Sequence, residues 1–155
     1  LYHRVDWQAR VLIIMRKLDH SAIFVMIAGS FTPICLLVLP GDTGIQLLFI
    51  VWIIAGIGIL QTILFTQTPR LIRAGIYLVA GYMAVPYLSV MSSVMSMTNF
   101  TLTAAGGTIY TVGAIGYGFK FPDISPKYFG YHEFFHILVA IAAVLHFIVI
   151  YSIVG

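Results

Sequence analysis

Long runs of apolar residues, broken only by short polar turns, constrain this chain more than any other feature. A helix needs about 20 apolar residues to cross a bilayer. Five stretches meet or approach that length: residues 21–39, 44–66, 74–91, 99–119 and 131–154. Pro40-Gly41-Asp42 closes the first, and Gln67-Thr68-Pro69-Arg70 follows the second. A two-proline loop, Lys120 to Lys127, separates the fourth from the fifth. Only 8% of the 155 residues are charged and 61% are hydrophobic. Soluble domains carry about 25% charge, so the expectation is an all-α, polytopic transmembrane bundle. Residues 6–17 mix basic and apolar side chains and read as a short interfacial helix before the first span.

The charges are placed unevenly. Arg4, Arg10, Arg16 and Lys17 precede the first stretch, Arg70 and Arg73 lie between the second and third, and Lys120 and Lys127 between the fourth and fifth. These are all eight basic residues, and they fall on alternate connections. That is the positive-inside pattern. It predicts an integral protein of the plasma (inner) membrane, with the basic loops on the cytoplasmic side. Topology accounts for the net charge of +3 without nucleic acid. One cysteine, Cys35, excludes an internal disulfide and a cysteine-based zinc site.

Chemistry is concentrated where the last stretch opens. His132 and His136 stand four residues apart, so both rings lie on one helix face and can reach one metal ion. Taken alone, the pair is either a metal site or two interfacial histidines. His3 and Asp19 are placed at the same membrane level by the alternating topology. Three histidines with an open position make a catalytic zinc site, which brings the pKa of water toward about 7. Asp19 beside it reads as a general base, or else as a helix N-cap with Ser21 nearby. Glu133 completes the spelling His-Glu-Phe-Phe-His and is either a base or a solvated boundary residue.

Other groups read differently. Asp19-His20-Ser21 holds the residue types of a hydrolase triad, but successive helical residues point about 100° apart and cannot form a relay. His146 lies about 15 Å further along its helix than His136, too far to share a metal. It reads as a packed histidine bonded to a neighbouring helix, or as a second polar site. The small residues from Thr103 to Gly118 read as a close-packing face.

Several segments together resemble the hemolysin III–like family, which includes the progestin and adiponectin receptors. They are Leu1-Tyr2-His3, Leu18-Asp19-His20-Ser21 running to Ala28-Gly29-Ser30-Phe31-Thr32-Pro33, Gly106 to Gly113, and Phe129 to His136 continuing to His146-Phe147. The resemblance implies a seven-helix bundle holding an intramembrane zinc near the cytoplasmic face. His3, His132 and His136 would then be ligands, with Asp19 beside the water on the metal. The five spans would be helices three to seven, in a single domain over residues 1–155. Residues 1–3 would end a preceding helix, and the family's serine, four residues before the ligand histidine, would precede Leu1. Its kinship with alkaline ceramidases implies zinc-dependent hydrolysis of a lipid amide or ester, with a lipid as substrate. A receptor or structural protein with a helix-tying zinc is the alternative, and a pore-forming haemolysin the lesser one. A pore predicts polar residues along a whole helix, whereas the second and third stretches offer few, among them Gln46, Gln61, Thr62 and Ser89.

Overall fold

The computed structural model describes residues 9–65, 68–123 and 129–155. Six helices make up nearly all of it: α1 (Ala9–Leu37), α2 (Gly41–Leu64), α3 (Arg70–Tyr82), α4 (Leu88–Val94), α5 (Met97–Phe119) and α6 (Tyr131–Val154). Their ends follow local chemistry. Pro40 and Pro69 stand just before α2 and α3, where a missing N–H costs nothing. The Ser96 side chain caps α5 by accepting from Asn99 N at 3.2 Å. Between α3 and α4 a 3₁₀ turn over Val85–Tyr87 holds Pro86, which cannot continue an α-helix.

α2 shows what surrounds the bundle. Phe49, Ile53, Ile57, Leu60 and Leu64 are each more than half exposed and form one stripe. The opposite face, with Gly44, Leu47, Val51, Ala55, Gly58 and Thr62, is buried. A continuous exposed apolar stripe of this length marks contact with something other than water. In a helix of this hydropathy that partner is lipid.

Four helical stretches are long and apolar enough to cross a membrane: Arg10–Leu37, Gly41–Leu64, Arg70–Val94 and Tyr131–Val154. This corrects the expected count of five. The stretch 99–119 is helical, as most of the 23-residue α5, but it is not among the four. Its glycines, threonines and Asn99 carry little apolar surface. Threonines 101, 103, 108 and 111 each turn their hydroxyl back to the carbonyl four residues earlier. The described residues therefore form an all-α bundle with four candidate spans, and nothing in it identifies a seven-helix fold. The separate interfacial helix is also overturned: from Ala9 onward that segment is the unbroken start of the 29-residue α1.

Packing brings distant segments to one level. α1 lies on α2, α5 lies between α3 and α6, and α1 also touches α3 and α6. Two of the glycines leave room for a buried ring from a neighbouring helix. A Cβ at Gly58 would sit 2.3 Å from the Phe24 ring, and one at Gly106 would sit 2.5 Å from His146 Nε2. Phe24, Ile34, Leu47, Met91, Phe135 and Val149 are fully buried between the helices.

Candidate metal centre

α1 and α6 carry the polar groups that meet. His132 and His136, one turn apart on α6, face Asp19 on α1. His132 Nε2 is 3.2 Å from Asp19 Oδ2, and His136 Nε2 is 3.1 Å from Asp19 Oδ1. The two imidazole Nε2 atoms are 3.0 Å apart. One ligand atom from each residue lies within 4.8 Å of the other two, so this cluster can hold a metal ion. Donors bonded at about 2.0–2.1 Å to a tetrahedral zinc are roughly 3.3–3.4 Å apart. The observed separations are close to that edge. Asp19 Oδ2 is buried and makes no hydrogen bond of good geometry, despite its nearness to His132. A carboxylate oxygen and two imidazole nitrogens repel through their lone pairs unless a proton or a cation lies among them. The donor set and the orphaned oxygen both fit a divalent cation.

Each expected residue has a definite place except one. Asp19, His132 and His136 converge. His3 lies outside the described residues. Asp19 is not a helix N-cap, because α1 already runs from Ala9 and Asp19 sits well inside it. Glu133 is engaged at the start of α6, where its Oε2 accepts the Gly130 N–H at 3.1 Å, the returning half of a capping box. His146 is packed against α5 and donates Nε2–H to the Thr103 carbonyl at 3.2 Å. Cys35 is buried in the apolar core.

Beside the cluster lies a buried polar network that the sequence reading passed over. His20 follows Asp19 and is 4% exposed. Its Nδ1 is 2.7 Å from the Arg16 carbonyl, and its Nε2 is 2.8 Å from Arg73 NH1 and 3.1 Å from Tyr117 Oη. Tyr77 donates to the His20 carbonyl at 3.4 Å. By its place in the sequence Arg73 is a loop charge that sets topology, yet in the fold it is buried in the bundle. Its helix face gave the signal: Arg73, Ala74, Tyr77 and Ala80 are the buried residues of α3 and recur with helical period.

Deeper in the bundle is a cavity of about 290 Å³. Ile23 and Ile27, one and two turns past Asp19, form part of its wall with Phe135, Val139 and Tyr77. The lining is mostly apolar, with Ser30, Tyr110 and His146 among its polar members.

Comparison with known proteins agrees with this picture. The family model described as Haemolysin-III related matches residues 1–147. A hemolysin-3 homolog of Bacillus subtilis (strain 168) is 39% identical over 107 residues, covering 69% of this chain and 50% of that protein. Hemolysin-3 of Bacillus cereus is 39% identical over 100 residues, 63% of this chain and 45% of that protein. The human monocyte to macrophage differentiation factor is 27% identical over 156 residues, 98% of this chain and 62% of that protein. The chain thus spans about half the length of the bacterial relatives it matches. No solved structure matches it.

Proposed function

This chain belongs to the haemolysin-III related family, and we propose that it is an integral membrane zinc protein that hydrolyses an amide or ester bond of a lipid. The carrying observation is the meeting of Asp19, His132 and His136, whose ligand atoms lie within 4.8 Å of one another, close enough to share one ion. We assign zinc because an imidazole–carboxylate donor set suits it. His3 is proposed as a further ligand. Bound zinc would polarise a carbonyl and lower the pKa of water.

The chain's own residues supply the rest. His132 and His136, on one face of α6, would hold the ion. Asp19 lies against both rings and is the carboxylate available to take a proton from attacking water. The apolar cavity one turn deeper suits hydrocarbon, so a scissile bond at the level of Asp19 leaves an acyl chain among Ile23, Ile27, Phe135 and Val139. A lipid amide or ester of the kind split by ceramidase-like hydrolases fits this arrangement. The basic residues support a site on the cytoplasmic side of the plasma membrane.

One observation favours a second reading. Both Asp19 oxygens lie at ligand-like distances from the imidazoles. If Asp19 and His3 both bind the ion, its fourth position is closed and zinc ties α1 to α6, as in a receptor or structural protein. A pore gains no support from the buried face of α2, which is apolar but for Thr62.

The test is fatty-acid release from ceramide and phospholipid vesicles by reconstituted protein, with and without a chelator. Chelator-sensitive release is expected. No release from any lipid, with or without metal, overturns the hydrolase reading. Asp19→Asn separates the two roles: a base loses turnover and keeps zinc, while a tying ligand loses zinc.

A further inference from the structure

Arg73 is the only Lys, Arg, Asp or Glu among the described residues that is buried, at 7% exposure. A guanidinium at this depth is costly unless it is partnered. No carboxylate among the described residues lies within ion-pair distance of it; the ion pairs there join Asp19 to histidines. Its partners are neutral. NH1 donates to His20 Nε2 at 2.8 Å and to Tyr117 Oη at 3.3 Å, and NH2 donates to the Thr68 carbonyl at 3.4 Å.

These partners fix the His20 ring. Arginine only donates, so His20 Nε2 must accept. The ring proton then sits on Nδ1, the nitrogen that faces the Arg16 carbonyl at 2.7 Å. That N–H also stands 3.6 Å from Asp19 Oδ2. The opposite tautomer would set a nitrogen lone pair against both oxygens. Cation, imidazole and carboxylate therefore lie in sequence: Arg73, His20, Asp19. The same group walls in His132, whose ring centroid is 6.1 Å from that of His20 and 5.7 Å from that of Tyr117.

We propose that Arg73 is a positioning residue of the metal centre, acting through His20 to hold the Asp19 carboxylate toward His132 and His136. It selects the tautomer that places an N–H beside Asp19, and it sets a fixed positive charge behind that N–H. Outer partners of this kind change metal affinity by about 10–100-fold. The inference rests on the metal reading of the cluster.

The test measures zinc affinity by chelator competition and the visible spectrum of the cobalt-substituted protein. Arg73→Met is expected to weaken zinc binding about 10–100-fold and to shift the cobalt bands. Arg73→Lys, which keeps a charged donor, should recover most of both. A purely structural loss would not be rescued this way. Wild-type affinity and unchanged bands in folded Arg73→Met overturn the inference and leave the metal site standing. Wild-type protein that binds neither ion removes the metal reading and this inference with it. Should Arg73→Met fail to fold, ¹⁵N-histidine shifts of the wild-type protein decide: the Nδ1–H tautomer at His20 supports the inference, and the Nε2–H tautomer overturns it.

Discussion

Asp19 Oδ1 lies 3.1 Å from His136 Nε2, although the first described helix carries one residue and the last carries the other. A contact between ionisable side chains at this depth ties two elements that apolar packing alone would leave free to slide in lipid. It also commits Asp19 to the cluster rather than to helix capping. Replacing Asp19 with alanine, as a base beside the metal, should lower metal affinity by no more than the roughly 10–100-fold that loss of an outer partner costs, whereas a larger loss would make Asp19 a ligand. Chelator competition on the purified variant checks this.

Glu133 should behave as a cap. Its carboxylate closes the first turn of α6 onto the Gly130 N–H. Glu133→Ala should lower stability by about 0.5–2 kcal/mol and leave metal content unchanged. Glu133→Gln, which can still accept that bond, should preserve both stability and any hydrolytic activity. Loss of turnover in a folded, metal-loaded Glu133→Gln protein would restore Glu133 as a base.

Gly106 should tolerate no side chain. A methyl group there meets the His146 ring, which is held in place by its bond to the Thr103 carbonyl. Gly106→Ala should destabilise the α5–α6 contact by about 1–3 kcal/mol, read as a fall in thermal midpoint in detergent. Adding His146→Ala should recover part of the loss, because the two residues compete for one space.

Lys120 ends α5 in the left-handed region, with φ of 58°. The turn closes as its N–H and that of Phe121 reach the Gly116 carbonyl, and such a position favours glycine. Lys120→Gly should stabilise the protein by up to about 1 kcal/mol, measured in the same thermal assay.

Much of the site was legible because it depends on spacing. His132 and His136 repeat at one helical turn, and a pair so placed shares a face wherever the helix goes. Asp19 was legible because a lone carboxylate in an apolar stretch needs a partner. Arg73 and His20 were not, because their roles depend on burial. A basic residue in the first turn of a helix, as Arg73 is, looks like a loop charge until the face it occupies is known. α5 misled for the related reason that length and helicity do not make a span: glycine and threonine fill the same length with far less apolar surface. The first helix misled because basic residues suggested a boundary at its start, while the backbone continues through them.

The central claim is that His132 and His136, with the Asp19 carboxylate against them, gather around one metal ion. Elemental analysis of the purified protein, wild type against the His132→Ala, His136→Ala double variant, tests it most directly. About one zinc per chain is predicted for the wild type, with none in the variant. A wild-type protein free of transition metal, or a variant that keeps its zinc, would contradict it.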